Sequence, residues 1–464
     1  MFAADTYAQR RADLKKKVKS GIILLAANSE SPMNYKDNVY PYRQDSSFLY
    51  YCGLDQPGLV VLMDCDSGED TLLGTELSME DIIWTGPKPN LRALGERVGI
   101  KNTKAIVDLA TTLQEAIERN RKVHYTPPYR HDKLIALSEW MGTTLAAVKE
   151  GVSTDLIKAI IAQRSIKTEG ELLEIDKAVT VSGLMHRKAM QMARPGMKES
   201  QIAGVIEGIA IAAGGRLSFP AIITVNGQTL HNHYHGNTLQ SGQLLLNDFG
   251  AANELHYAGD ITRTYPVDKQ FTEKQREVYQ VVLDSQMAAI EALKPGVANK
   301  DIHLLAAKTI FEGLSALGLL KGDAEEAIEE GVHALFFPHG LGHMLGLDVH
   351  DMEDLGENLV GYDEEIERST QFGLSALRLG KKLEAGNVIT VEPGIYFIPE
   401  LIEQWKSDGK FKDFINYKKL DDYLDFGGIR IEDDVAITKK GYRVLGKPIP
   451  KTVAEVEEIR GRAF

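Results

Sequence analysis

The sequence predicts two domains, an α/β domain over residues 1–165 and an α+β domain over residues 166–464. Three observations lead there: short apolar runs alternating with helical patterns in the first third, long helical patterns from about Leu156, and an internal repeat in the second part.

In the first third the apolar runs are "GIILLAANS", "FLYYCGL", "GLVVLMDC", "DTLLG" and "KVHYTPP", each of strand length and separated by helical stretches. Strands alternating with helices bury both faces of a sheet, the pattern of an α/β domain. The texture changes in "TDLIKAIIAQRSIKTEGELLEIDKAVTVSGLMHRKAMQMA", which keeps a helical period throughout, and the boundary is placed near Ile166. Beyond it, helices in pairs followed by strands predict α+β. Here "RPGMKESQIAGVIEGIAIAAG" from Arg194 and "KPGVANKDIHLLAAKTIFEGLSALG" from Lys294 share a Pro-Gly, an apolar residue, and an Ile six positions after the Gly. Downstream, "GQLLLNDFG" and "GNVITVEPG" share a Gly followed six residues later by an acid, Asp248 or Glu392. "DITRTYPV" and "IRIEDDVAI" make a further matched pair. Halves related by a pseudo-twofold axis would bring their acids together at its centre.

At 464 residues, 43% hydrophobic and 26% charged, the chain is long enough for two or three full cores. No run approaches the ~18 apolar residues of a membrane span. The start, "MFAADTYAQRRADLKKKVKS", lacks an apolar h-region, so a secretory signal is not expected. Cys52 and Cys65, both in apolar contexts, are expected to be buried free thiols, and a reducing cytoplasm is the expected setting. A formal net charge of -13 without any basic patch argues against a nucleic-acid partner.

The chemistry begins with "LLLNDFGAANELHYAGDITRTYPV", residues 244–267. Asp248 follows three leucines and Asp260 heads a β-branched run, so both acids fall where strands are expected to be buried. An ionised carboxylate without a partner is costly there, so such acids are paired or bound to a cation. More candidates lie downstream: His339, His343 and His350 in "FPHGLGHMLGLDVHD", Glu392 in "VITVEPGIYF", and Glu432 in "GGIRIEDDVAIT". One histidine with four carboxylates is a mostly hard oxygen donor set, suited to two divalent ions such as Mn²⁺, Co²⁺ or Zn²⁺ and poor for a structural zinc. "HGLGH" by itself is a weak two-histidine zinc motif, with two glycines in five residues and no following base. The "DFG" at Asp248 stands without any other kinase motif.

Together, "HGLGHMLGLDVHD", "TVEPGIYF", "GIRIEDD" and "GDITRTYPV" resemble the pita-bread metallopeptidases, the group containing methionine aminopeptidase, aminopeptidase P and prolidase. The resemblance runs from Ile166 to the C-terminus. "YPYRQDSSFLYYCGL" is similar to the N-terminal domain of prolidase and aminopeptidase P, which methionine aminopeptidases lack. It implies a pita-bread catalytic domain with pseudo-twofold halves behind an α/β domain. It also implies metal ligands at Asp248, Asp260, His343, Glu392 and Glu432, with Asp260 and Glu432 bridging two ions, Mn²⁺ first among the candidates. His231, in "TLHNHYHGN", and His350 match the two substrate-side histidines, with His233 and His235 as alternatives to His231. His339 is placed on the substrate side, with a structural role as the simpler reading.

Arg430, two residues before Glu432, is expected on the same strand face and able to orient that carboxylate. Asp433 and Asp434 are read as solvated or as lying behind the ligands, and His303 and His333 as ordinary helical residues. The loop from Asp248 to Asp260 is one residue longer than the common family spacing, and "ND" replaces an apolar residue plus Asp.

The implied activity is hydrolysis of Xaa-Pro bonds in a peptide with proline second. Water would be activated by the metals, Glu392 would carry the proton, and His350 and His231 would face the oxyanion. Arg378, fourteen residues before Glu392, matches the prolidase arginine that holds a dipeptide's terminal carboxylate. The simpler reading pairs it with a surface acid such as Glu384. The forty-residue connection from Glu392 to Glu432 is also of the prolidase kind, so an Xaa-Pro dipeptidase is expected first and aminopeptidase P second. A catalytically inactive binding protein of this fold would lose ligands, and this chain keeps all five. Relatives of this kind are often homodimers, so a homodimer is expected.

Overall fold

The computed structural model describes residues 1–463, which divide into two compact units, 1–164 with 354–356 and 165–353 with 357–463. No described helix is long and apolar enough to cross a membrane.

The first unit is a five-stranded sheet of β1 (Ile22–Ala26), β2 (Val60–Asp64), β3 (Asp70–Gly74), β4 (Asn102–Ala105) and β5 (Val123–His124) in the order β4-β3-β2-β1-β5. β1 pairs parallel with β5 and antiparallel with β2, and β3 pairs parallel with β4. All five residues of β1 are buried, which is why "IILLA" is a continuous apolar run instead of an alternating one. "FLYYCGL", read as a strand, is a helix, Ser46–Cys52. Its ends explain the difference: the Asp45 carboxylate accepts from the Phe48 N–H at the start, and Gly53 closes the helix at φ 63. A Cβ at Gly53 would lie 2.2 Å from the Tyr7 ring. Cys52 is buried as expected, whereas Cys65 is partly exposed because β2 ends at Asp64 and the thiol falls in the following turn.

The second unit is built twice. Helices Glu169–Met192 and Glu199–Ala212 pair in the first half, Glu273–Ala292 and Asn299–Ala316 in the second, and the leading helix of each pair opens with a capping box, Thr168/Glu171 or Thr272/Gln275. The Pro-Gly turns are equivalent in detail. Gly196 and Gly296 have φ 88 and 86, and their N–H groups donate to Leu239 and Leu383 carbonyls. Three residues on, Glu199 and Asn299 donate to Asn237 and Lys381.

Ten further strands follow: β6 (Arg216–Leu217), β7 (Ile222–Thr224), β8 (Leu244–Phe249), β9 (Ala251–Ala252), β10 (Ile261–Pro266), β11 (Val388–Val391), β12 (Gly394–Tyr396), β13 (Gly428–Arg430), β14 (Asp433–Ile437) and β15 (Tyr442–Val444). They form sheets β10-β8-β7, β11-β14-β15, β12-β13 and β6-β9. Each half thus carries an antiparallel pair, β8/β10 with Thr262 opposite Asp248 and β11/β14 with Thr390 opposite Asp434. The connection from Glu392 to Glu432 holds helices Pro399–Ser407 and Tyr417–Leu420, anchored by buried Ile402, Trp405, Ile415 and Leu420.

His303 and His333 are not ordinary helical residues. His303 lies in the helix Asn299–Ala316 and His333 in a 3₁₀ turn; both are at most 1% exposed, and among the described residues none of their ring nitrogens has a hydrogen-bond partner. Burial holds His303 well below the usual histidine range and His333 at about 4, so both are neutral in the fold. Because these folded values lie below the unfolded one, the unfolded chain binds more protons as pH falls below about 6.5, and stability is lost progressively towards pH 4. His333 alone should account for a loss on the order of 3 kcal/mol. His333→Phe is expected to move the acid-unfolding midpoint, followed by circular dichroism, to lower pH. An unchanged midpoint would show that His333 already finds a partner in solution.

Candidate active site

The five predicted ligands arrive from both halves, and the strand ends place them. Asp248 sits inside β8, Glu392 directly follows β11, and Asp260 and Glu432 each stand one residue ahead of the second strand of their pair, β10 or β14. His343 comes from the segment after Pro338, which runs along β11: His343 N donates to Thr390 Oγ1 at 3.1 Å, and Thr390 N to the His343 carbonyl at 3.0 Å. That approach requires the glycine of "LGH", because a Cβ at Gly342 would lie 2.0 Å from the Thr390 carbonyl oxygen. The glycines of "HGLGH" therefore serve backbone packing.

One ligand atom each from Asp260, His343 and Glu432 lies within 4.8 Å of the others, and all three residues are buried. His343 Nε2 is 3.5 Å from Asp260 Oδ2 and 3.4 Å from Glu392 Oε1. Its Nδ1–H donates to the Met344 carbonyl at 3.0 Å, which leaves Nε2 as a lone pair facing the acids. Burial, together with mutual repulsion, pushes the Asp260 and Glu432 carboxyls well up and Glu392 up to about 7. Among the described residues, Asp248 Oδ1 and Asp260 Oδ1 are buried without a hydrogen-bond partner. Orphaned acceptors, crowded acids and a histidine lone pair are what a pair of divalent cations would satisfy, so the donor set fits the expected metals.

Arg430 orients a different acid from the one expected. β13 ends at Arg430 and β14 starts at Asp433, so the backbone between them is not a strand and the period of two fails there. Arg430 Nη2 donates to Asp248 Oδ2, Nη1 to the Tyr396 hydroxyl at 2.7 Å, and Nε to Thr262 Oγ1 at 3.2 Å. Glu432 receives the Thr262 hydroxyl instead, at 2.6 Å. Asp433 and Asp434 are buried, not solvated. Asp433 pairs with Arg263 and Lys451, and Asp434 Oδ2 accepts from the Asp260 N–H at 2.9 Å, fixing the backbone of that ligand. Tyr396, Thr262 and Thr390 were not singled out by the sequence.

All five ligands line a cavity of about 400 Å³ together with His231, His233, His339, His350, Arg378 and Arg430. His235 is turned elsewhere, with Nε2 3.0 Å from the Ala221 carbonyl. His231 is held below the usual histidine range by burial and by Arg430. In His339, Nδ1–H faces the Gly340 carbonyl at 2.8 Å and Nε2 accepts from the Tyr396 hydroxyl at 2.8 Å. Burial pushes His339 down to about 3, so it is a neutral link in the chain His339–Tyr396–Arg430–Asp248. His350, its ring 4.3 Å from that of His343, donates Nδ1–H to Glu353 Oε2 at 2.6 Å and keeps Nε2 free of that bond. Arg378 pairs with Glu353, not Glu384, and lies 3.8 Å from Glu357.

The two departures from the family spacing are accommodated locally. Asn247 turns away from Asp248 into the core, where its Nδ2 donates to the Tyr265 hydroxyl at 2.5 Å. The longer loop folds on Asn253, whose Oδ1 accepts from Leu255 and Tyr257 N–H groups around a left-handed His256 at φ 65.

Comparison with known proteins places the whole chain. Residues 174–439 match the family described as metallopeptidase family M24, and residues 7–125 match the aminopeptidase P N-terminal domain. The chain belongs to metallopeptidase family M24. Among M24 relatives, a protein of Sordaria macrospora named a probable Xaa-Pro aminopeptidase is 35% identical over 99% of this chain and 96% of its own. The Homo sapiens Xaa-Pro dipeptidase is 32% identical over 95% of this chain and 89% of its own. Among solved M24-like structures, Pseudomonas aeruginosa aminopeptidase PepP superposes with a TM-score of 0.82 at 29% identity, covering 100% of this chain and 99% of that one. Zinc-substituted Escherichia coli aminopeptidase P in complex with product does so with a TM-score of 0.82 at 27% identity and the same coverage.

Proposed function

We propose that this M24 peptidase uses two divalent ions to hydrolyse the bond between a first residue and a proline at the second position of a peptide. The observation that carries the proposal is the convergence of Asp248, Asp260, His343, Glu392 and Glu432 on one cavity that also presents His231, His350 and Arg378. The hard oxygen donors support manganese as the ion, and the two free thiols support a cytoplasmic setting.

Asp248, Asp260, His343, Glu392 and Glu432 would hold the ions. When bound, two such ions activate a water for attack and polarise the scissile carbonyl. Glu392, which lines the same cavity, would take the proton of the attacking water and return it to the leaving proline nitrogen. His350, its ring oriented through Nδ1–H by Glu353, donates Nε2–H to the developing oxyanion as the imidazolium, and His231 lines the same cavity as a second donor. The apolar residues Phe219, Leu230 and Val349 on the cavity wall keep the site dry and take up substrate side chains.

Peptide length turns on Arg378. A guanidinium ready for a terminal carboxylate favours dipeptides, the sequence-based expectation. The contacts of Arg378 with Glu353 and Glu357 favour longer peptides, and we adopt that reading. The test is the manganese-loaded protein given Xaa-Pro, Xaa-Pro-Yaa and the matched peptide with alanine second. Cleavage before proline in the tripeptide, faster than in the dipeptide, is expected. Equal cleavage of the alanine peptide would remove the proline assignment, and faster dipeptide cleavage would restore the dipeptidase.

A further inference from the structure

Glu353 joins two residues that the proposed reaction uses for different purposes. Its Oε2 accepts from His350 Nδ1 at 2.6 Å, and its Oε1 accepts from Arg378 Nη1. The chain is bent to make this reach: Met352, between Asp351 and Glu353, is 2% exposed and lies in the left-handed region at φ 66, a conformation a methionine adopts only under constraint. The constraint is visible upstream, where the Asp351 carboxylate pairs with the buried Lys167 at 2.9 Å. The Glu353 N–H then returns to the His350 carbonyl at 3.3 Å, so the glutamate folds back over the histidine three residues before it.

Arg378 is thereby committed. Glu357 Oε2 stands 3.8 Å from the same Nη1, while Glu357 Oε1 accepts from Arg368. Two arginines and two glutamates cancel, and the region that would present a positive charge to a substrate's terminal carboxylate presents none. A carboxylate arriving there must either displace Glu353, which also strips His350 of its partner, or bind beside an existing negative charge. A peptide that continues past proline brings an amide to this place and meets neither obstacle.

Resting on the Xaa-Pro reading above, we propose that Glu353 is the residue that sets peptide length, by occupying Arg378 against a free terminal carboxylate while it positions His350. It acts through its two neighbours and is a positioning residue, so the test must separate it from general support of the fold. Binding of an uncleaved pair, a reduced-bond Xaa-Pro analogue as the free acid and as its C-terminal amide, is measured by calorimetry on the wild-type protein and on Glu353→Gln. The wild type is expected to bind acid and amide about equally, whereas Glu353→Gln should favour the acid about tenfold, the size of one partly exposed charge-assisted pair.

Glu357→Gln, which removes the more distant acid, should move the ratio in the same direction by less, and it serves if Glu353→Gln does not fold. A turnover readout accompanies the binding: Glu353→Gln should lower kcat for both substrate lengths through His350 while KM falls for dipeptides alone. An unchanged acid-to-amide ratio in both variants, or equal weakening of both ligands, overturns the role of Glu353 and leaves the Xaa-Pro reading intact. Failure of the wild type to bind either ligand overturns both.

Discussion

Asp260→Ala is expected to abolish hydrolysis and to strip the site of metal. Removal of a hydrogen-bond partner behind a metal ligand typically costs ~10–100-fold in affinity or activity, and removal of a proposed ligand itself should exceed that, on the order of 10³-fold or more. Metal analysis of the purified variant should show less than two ions per chain, where the wild type shows two. A second readout runs the other way. In the metal-free protein Asp260 is one of four crowded acids, pushed up by burial and by Asp248. Its loss relieves repulsion, so metal-free Asp260→Ala should melt no lower than the metal-free wild type. A variant that retains two ions and full activity would discard the site; one that melts far lower without metal would make Asp260 a structural acid.

His350→Ala should separate substrate chemistry from metal binding. The ring sits beside His343, yet its Nδ1–H is given to Glu353, which is not one of the five proposed ligands. Loss of one oxyanion donor costs ~10²–10³ in rate, so kcat should fall by about that factor while both ions stay. KM should change less than kcat, because the interaction strengthens as charge develops on the oxygen. If the ions leave with the imidazole, His350 is a ligand and the roles assigned to the two histidines exchange.

The residues that the sequence exposed most clearly are those whose chemistry conflicts with their surroundings. Asp248 after three leucines is conspicuous because nothing apolar explains it, and the structure buries it at 8% exposure. The repeat was legible because Gly196 and Gly296, like Gly242 and Gly386, hold positive φ values that other residues avoid, so both copies keep glycine in register. What stayed hidden depends on partners distant in sequence. Nothing near Arg430 announces Asp248, which lies 182 residues away and is reached only because β13 stops where it does. "FLYYCGL" is apolar and aromatic enough for a strand, and its helical state is decided by an aspartate before it and a left-handed glycine after it. Glu353 reads as one more acid in "HDMEDLGE"; its meaning needs the left-handed Met352 and an arginine from another loop. His303 and His333 were illegible for the opposite reason, since a buried neutral histidine leaves no pattern beyond its helical spacing.

The distribution of the proposed metal ligands over two halves also bears on how the enzyme comes into being. Asp248 and Asp260 leave the ribosome early, His343 and Glu392 later, and Glu432 last, on the far side of the long connection. The first half can pair its helices and close β8 on β10 as it emerges, since those contacts are local, yet it holds only two of the five donors. A nascent chain is therefore a peptidase in shape well before it is one in chemistry. The full set of five donors needs the segment carrying Glu432, whose N–H donates to the Thr262 carbonyl while the following β14 pairs with β11.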